Sequence, residues 1–199
     1  MAFDDDHCVA DAGLALVGLL SEELGPHQLA EETISIPPFP GRLGATLVHP
    51  LVAGATCIDD ADVLRSGATS SDLSHRVMAP STLGTFPRRF TVDDVRPWDR
   101  VAELLVTRAW SLGAGPVENP MAIDVDSTIR EVFENQKQGA GFGYTEVLGY
   151  HPLPATCADN TGETLPVRFR KGSSNTPRGA PRVVRQVVGR VVARERAEP

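Results

Sequence analysis

One short segment, residues 122–128, constrains the fold of this 199-residue chain more than any other. Apolar and acidic residues alternate through Ile123-Asp124-Val125-Asp126, which predicts a β-strand with one apolar and one acidic face. Asp124 and Asp126 then point to the same side, roughly 6.5 to 7 Å apart. Because acids on an otherwise apolar strand cost free energy, a bound divalent cation is one common compensation. Sites that break phosphodiester bonds with two magnesium ions present carboxylates in this way.

The same segment has a purely structural interpretation, which the sequence leaves open. Asp126 or Ser127 can cap a following helix, because Thr128 and Glu131 have the spacing of a capping box. Only the rest of the chain decides between the two interpretations.

Composition excludes several classes of protein. With 41% hydrophobic and 23% charged residues, the chain has enough apolar material for one or two domains with a core. No apolar run approaches the roughly 18 residues of a membrane span, and the acidic N-terminus does not resemble a secretory signal. Cys8, Cys57 and Cys157 are odd in number and far apart, so we predict neither a disulfide framework nor a metal site, and a cytoplasmic location.

Charge is distributed unevenly along the chain. The net charge of −7 argues against indiscriminate binding to nucleic acid. Residues 1–119 hold 8 Lys and Arg against 17 Asp and Glu, whereas residues 120–199 hold 11 against 9. The basic C-terminal part is a weak indication of phosphate binding, since a solvated helix face would have similar residues.

The pattern divides the chain into a helical domain, residues 1–115, and a second domain, residues 116–199. Helices are predicted over 12–32, with a stop at Gly25-Pro26, over 43–57, and from Cys57 onward. Residues 79–110 have the layout of a helix-turn-helix region, with Pro87 in an awkward place inside a helix. Arg88 and Arg89 are candidate contacts to DNA phosphates there, although arginines beside a helix are usually just solvated.

The second domain changes from helical to strand-like periodicity. Strands are predicted over 121–126, 147–157 and 164–169 as an antiparallel meander, followed by a helix over 178–194 with two apolar stripes. Three strands and then a helix, with an acid in the first strand, is how an RNase H-like fold begins. The predicted fold class is therefore α+β or α/β, with a helical N-terminal domain and the first part of an RNase H-like domain.

Six stretches of the chain resemble bacterial insertion-sequence transposases of the DDE class, especially the group common in high-GC Gram-positive bacteria. They lie in the expected order and span nearly the whole chain: Phe3-Asp4-Asp5-Asp6-His7, Cys57-Ile58-Asp59-Asp60-Ala61-Asp62, Ala79-Pro80-Ser81-Thr82-Leu83-Gly84-Thr85-Phe86, Ile123-Asp124-Val125-Asp126-Ser127-Thr128, Gly149-Tyr150-His151-Pro152-Leu153 and Asn175-Thr176-Pro177-Arg178-Gly179. Each motif is weak alone, and the set is specific.

The resemblance implies DNA transposition with Mg²⁺ as cofactor. In such enzymes two Asp and one Glu hold two magnesium ions, which activate the attacking hydroxyl and stabilise the leaving oxygen. The first acid matches Asp126, the implied catalytic residue and metal ligand, with Asp124 as the second-choice ligand. The second Asp and the Glu, expected beyond the last predicted helix, are not found before Pro199. We therefore expect a truncated N-terminal fragment that binds Mg²⁺ weakly or not at all, and whether it is an enzyme is left open.

Two functions compete at this point. The first is that of an insertion-sequence transposase, this chain being a truncated and inactive fragment of one. The alternative is a non-catalytic module that binds DNA or transposase subunits and modulates an intact transposase. The implied partners are the DNA ends of the insertion sequence, with self-association or an intact transposase, and no membrane. Arg178 is a candidate phosphate contact, unless it only caps the end of a loop. A third interpretation is a decayed gene whose product barely folds.

Overall fold

The computed structural model describes residues 9, 11–34, 43–73, 75–116, 121–133, 137–158 and 162–195. These residues form two compact units, Met1–Val101 and Ala102–Pro199. The first unit is helical where it is described, and the second contains short strands and a long helix, so the fold is α+β. The motif at residues 3–7, the proline-rich stretch 36–42 and most of the turn at 159–162 lie outside the described residues.

The first unit begins with two helices, α1 (Leu14–Leu24) and α2 (Pro26–Thr33). Gly25 separates them with a φ of 60°, a left-handed conformation that glycine adopts at little cost, and its N–H donates to the carbonyl of Ser21. Pro26 then occupies the first turn of α2, where the missing N–H is not needed. The predicted stop at Gly25-Pro26 is confirmed. The helix predicted over residues 12–32 is therefore divided into two helices, α1 and α2.

The next helices are shorter than the sequence indicates. Helix α3 (Leu43–Val52) contains Pro50 and ends two residues after it, earlier than the predicted residue 57. The segment Ile58–Arg65 is a 3-10 helix, and its start is held by Asp60, whose carboxylate accepts N–H bonds from Thr56 (2.7 Å) and Cys57 (3.0 Å). Leu64 packs in a core cluster with residues of neighbouring elements: Leu14, Leu73 and Val77.

The region predicted as helix-turn-helix is a series of short elements followed by one long helix. Helix α4 (Thr69–Asp72) precedes α5 (Pro80–Thr85), and two 3-10 turns, Pro87–Arg89 and Val92–Asp94, lead into α6 (Val95–Ala109) and a π-helical turn, Trp110–Ala114. Pro87 lies at the first position of its 3-10 turn, where proline is tolerated. The expectation that α5 continues through Pro87 is wrong, because the helix ends at Thr85 and a new turn begins.

The second unit is built on an antiparallel sheet, which we call sheet A. Its strands are β1 (Ile123–Val125), β5 (Leu153–Cys157) and β6 (Thr164–Arg168), with β5 in the middle. Asp124 pairs with Thr156, and the β5–β6 register shifts between Pro154 and Thr156. The order and antiparallel pairing of the predicted meander are confirmed, but of its predicted second strand, residues 147–157, only Leu153–Cys157 lies in sheet A. Pro154, which cannot donate to a ladder, lies beside the irregularity, as is usual for proline in a sheet.

The last helix, α7 (Ala180–Glu195), covers one face of sheet A. Val183 and Val187 are buried against Leu153 and Ala155 of β5. Partly buried apolar residues surround this cluster: Ile123, Val125, Leu165, Ala180 and Val191. The predicted helix is confirmed, and one of its two apolar stripes forms the core of the unit.

A second small sheet, sheet B, was not predicted from the sequence. It has the order β2 (Arg130–Glu131), β4 (Leu148–Tyr150), β3 (Gly141–Phe142), with both pairings antiparallel. No described helix combines the length and the apolar character needed to cross a bilayer.

Candidate metal-ligand and phosphate-binding residues

Of the two acids, only Asp124 lies in strand β1, and its side chain points away from the core of the second unit. Ile123 and Val125 pack with the cluster under α7, so the alternating side chain of Asp124 lies on the other face of sheet A. Asp126 follows one residue after the strand. Both acids are exposed, and the Asp126 carboxylate accepts a hydrogen bond from the backbone N–H of Ser127 (2.7 Å). Asp124 therefore lies on the predicted face, whereas Asp126 lies beyond the end of the strand, and its sharing of that face stays a prediction. Neither acid lies in a helix.

A two-metal centre needs more oxygen ligands than β1 supplies. Among the described residues, no group of three or more His, Cys, Asp or Glu lies together in a way that could hold a metal ion. Mg²⁺ keeps most of its waters unless several oxygens converge on it. The described residues thus do not fit a two-metal centre, and the roles of Asp126 and Asp124 as ligands stay predictions.

Arg88 and Arg89 lie in the 3-10 turn between α5 and α6, and both are exposed. Aromatic rings anchor the turn on either side. Phe86 and Phe90 meet edge to face with ring centroids 5.0 Å apart, and Phe90 meets Trp98 at 5.4 Å. This packing holds the backbone of the turn while the two arginine side chains face solvent.

Arg178 is exposed on the loop before α7, far in sequence from the other two candidate arginines. It lines an open depression of about 590 Å³ together with Ser173, Asn175 and Pro177. Arg178 and the pair Arg88–Arg89 belong to different compact units.

A buried arginine, Arg170, stabilises the loop that carries Arg178 through hydrogen bonds to backbone carbonyls. Its Nε donates to the carbonyl of His151 (2.7 Å), and its Nη1 donates to the carbonyls of Thr176 and Arg178 (2.8 Å each). Burial, together with the nearby charge of Arg168, lowers the pKa of Arg170 from its usual value. Each of these acceptors is a backbone carbonyl, so no described carboxylate neutralises this guanidinium.

His151 holds the same loop from the neighbouring strand end. Its Nδ1 lies 2.6 Å from the carbonyl oxygen of Ser174 and donates to it, since a carbonyl only accepts. The ring is buried, and neither its Nε2 nor Nη2 of Arg170 has a hydrogen-bond partner among the described residues.

Sequence reasoning missed the structural role of Arg170. It counted this residue only as one of several cations in a basic tail. Nothing in the local pattern separates Arg170 from its neighbours Arg168 and Lys171, because its burial depends on the loop that folds over it. Only an indirect signal could have revealed this role: Arg170 follows a predicted strand and precedes the Thr176-Pro177-Arg178 turn by six to eight residues.

Comparison with known proteins places the chain in a family. Residues 1–198 match the family described as Transposase DDE domain group 1. No curated protein and no solved structure matches the chain. Proteins of this family use a divalent metal such as Mg²⁺ and act on DNA. The match covers nearly every residue of both compact units. The chain therefore belongs to the DDE transposase domain family, group 1, and has a role in DNA transposition.

Proposed function

We propose that this chain takes part in the transposition of an insertion sequence through an RNase H-like unit in which Asp126 is a metal ligand. The family match over residues 1–198 carries this proposal. Two structural features support it: three antiparallel strands precede α7, and Asp124 of β1 lies on the sheet face away from α7, with Asp126 next after the strand. Asp126 is the first-choice ligand for Mg²⁺ and Asp124 the second.

We further propose that the chain does not cut DNA by itself. The support is the small number of carboxylates, since the described residues bring no group of three or more possible ligands together at Asp124 and Asp126 or elsewhere. In this proposal a second polypeptide, either another copy or an intact transposase, contributes the remaining acids. Neither of the two described cysteines, Cys57 and Cys157, forms a disulfide bond, which fits action in the cytoplasm.

We assign DNA binding to three exposed arginines: Arg88 and Arg89 in the helical domain, residues 1–115, and Arg178 in the RNase H-like domain, residues 116–199. Guanidinium groups bind phosphate oxygens with two parallel hydrogen bonds, which suits them to the DNA backbone. For Arg178 the support is strongest, because Arg170, whose charge no described carboxylate neutralises, donates hydrogen bonds to the loop that carries Arg178.

A strand-cleavage assay on the purified full chain tests the catalytic part of the proposal. The substrate is a labelled duplex with the terminal sequences of the insertion element, in Mg²⁺ or Mn²⁺. We expect no cleavage by the chain alone. Robust cleavage that Asp126→Ala abolishes would contradict the proposed inactivity while supporting Asp126 as a ligand. Cleavage that survives Asp126→Ala would overturn both statements.

Gel-shift titration on the same duplex tests the DNA-binding arginines. Arg178→Gln should weaken binding at all sequences and reduce the salt slope by about 0.9 for each phosphate that the variant no longer neutralises. The double variant of Arg88 and Arg89 should lower the slope by about twice as much. Arg65→Gln is the matched control, because Arg65 is engaged with Asp62 over 2.6 Å. Unchanged slopes in all variants would remove these arginines from the interface.

A further inference from the structure

The second unit exposes several aromatic side chains that a folded domain would ordinarily bury. Four rings are largely exposed: Phe133 (90%), Phe142 (64%), Tyr144 (74%) and Phe169 (67%). Every phenylalanine of this unit is among them. Aromatic side chains are large apolar groups, and clusters of them at a surface usually mark a binding site.

The register of sheet B places one of these rings among cations. Phe142 pairs with Leu148, and Arg130 pairs with Tyr150 across the neighbouring ladder. Leu148 and Tyr150 are two residues apart on β4, so both pairs point to the same side of the sheet. Lys171 forms an antiparallel bridge with Tyr150 and therefore joins this side. We call this surface, formed by Phe142, Leu148, Tyr150, Arg130 and Lys171, the aromatic face.

The opposite side of sheet B is closed by close backbone packing. A Cβ on Gly141 would lie 3.5 Å from the backbone nitrogen of Ser173. A Cβ on Gly172 would collide with the carbonyl oxygens of Gly149 and Gly141. Gly149 and Gly172 are both buried. The chain itself therefore covers the glycine side around Gly141 and Gly149, although Glu131 on that side is exposed. On the aromatic face, Phe142, Arg130 and Lys171 are exposed.

The charge around the aromatic face is opposite in sign to that of the whole chain. The aromatic face holds two exposed cations, Arg130 and Lys171, and neither of the two described acids between residues 130 and 151, Glu131 and Glu146. The net charge of the complete chain is −7. Of the two acids, Glu131 pairs with Gly149 and so points to the glycine side of the sheet. The aromatic face thus combines the exposed ring of Phe142 and the partly exposed ring of Tyr150 with two exposed cations.

We propose that the aromatic face binds unpaired nucleotides of DNA, with a base stacked on Phe142 and the backbone phosphates held by Arg130 and Lys171. Aromatic rings bind unpaired bases because every base has a π-face, whereas the bases of an intact duplex already stack on each other. The interleaving of rings and cations on a small sheet suits this ligand better than a protein, which would not require the cations. The inference rests on the proposed function in transposition, and adds that a DNA end is bound with some of its bases unpaired.

Fluorescence anisotropy with the full chain tests the inference. The probes are a labelled single-stranded oligothymidylate of about 16 nucleotides, near the upper site size of common single-strand binders, and a blunt duplex of the same length. Phe142→Ala should weaken single-strand binding about 5-fold to 100-fold and leave duplex binding nearly unchanged. Phe142→Trp should retain single-strand binding, because it keeps a stacking surface. Phe133→Ala is the control, since Phe133 is more exposed and lies outside the paired rows of sheet B.

A second readout separates stacking from general adhesion to DNA. A single strand with one 2-aminopurine should lose fluorescence on binding to the wild-type chain and regain it with Phe142→Ala. Phe142 is exposed, so circular dichroism of the variant should match the wild type. Equal single-strand affinity of wild type and Phe142→Ala would overturn the inference, as would duplex binding without single-strand binding. If the wild type binds neither probe, the proposed DNA-binding function fails as well.

Discussion

The indole Nε1–H of Trp110 donates a hydrogen bond to Oε1 of Glu163 over 2.6 Å, which joins the turn after α6 to the residue before β6. The two residues are 53 positions apart in the chain. Trp110 is buried, so this bond is formed away from most of the solvent. It links the helix that enters the second unit to an edge strand of sheet A.

Removal of the indole donor should destabilise the second unit. Trp110→Phe keeps an aromatic ring and leaves the Glu163 carboxylate without this partner, so we expect a loss of about 1.5 to 3 kcal/mol in the free energy of unfolding. Urea denaturation followed by far-UV circular dichroism measures it. Glu131→Gln, a change at an exposed acid of the same unit, serves as the control. A loss below about 0.5 kcal/mol, the ordinary range of a surface change, would show that the bond has no structural role.

Arg170 should be irreplaceable by lysine. A lysine ammonium cannot reach the carbonyls of His151, Thr176 and Arg178 together, because it lacks the planar fork of the guanidinium. Arg170→Lys should cost about 2 to 3 kcal/mol and speed hydrogen exchange in residues 174–178. Arg182→Lys is the matched control, since Arg182 is exposed on α7. Unchanged exchange in the loop would mean that other contacts hold it.

The pH dependence of the first unit should contain a contribution from Asp60. The N–H groups of Thr56 and Cys57 lower the pKa of this carboxyl below its usual 3.8 by bonding its charged form. A lowered folded pKa means that the stabilisation is present above the unfolded pKa and is lost as pH falls through the folded value. In the Asp60→Asn variant, the melting temperature should therefore fall less steeply as the pH decreases.

The control for Asp60 is Asp59→Asn, which removes the neighbouring exposed carboxylate. Thermal melts between about pH 2 and pH 7 cover the window in which an ordinary Asp titrates. If Asp59→Asn and Asp60→Asn give the same curve, the start of the 3-10 helix does not depend on the bonds that Asp60 accepts.

Two adjacent valines of α7 should respond very differently to truncation. Val183 is 1% exposed and packs in the core of the second unit, whereas Val184 is 46% exposed. Val183→Ala should cost about 2 kcal/mol through lost burial and the cavity left behind, and Val184→Ala about 0.5 kcal/mol or less. Chemical denaturation of the two variants compares them directly. An equal loss in the free energy of unfolding for both variants would mean that the exposed stripe of α7, which includes Val184, is also covered in solution.

The sequence by itself determined the local elements with a strong periodic signal. The alternation around Asp124 predicted β1, the two valine stripes predicted α7, and Gly25-Pro26 predicted the break between α1 and α2. These features depend on a residue and its near neighbours in the chain. The order of the six motifs also predicted the transposase family, which the match over residues 1–198 confirms.

Tertiary structure alone decided the features that depend on distant contacts. The paired segments of sheet B are two or three residues long and carry no period that a sequence pattern could reveal. Both stripes of α7 are equally apolar, and only packing against Leu153 and Ala155 selects Val183 over Val184 as the buried one. From the sequence alone, Arg170 would be expected at the surface, as arginines usually are. In the fold it is buried, because the loop before α7 covers it and accepts its hydrogen bonds through backbone carbonyls. In each case the deciding free energy comes from groups brought together by the fold, which no local pattern contains.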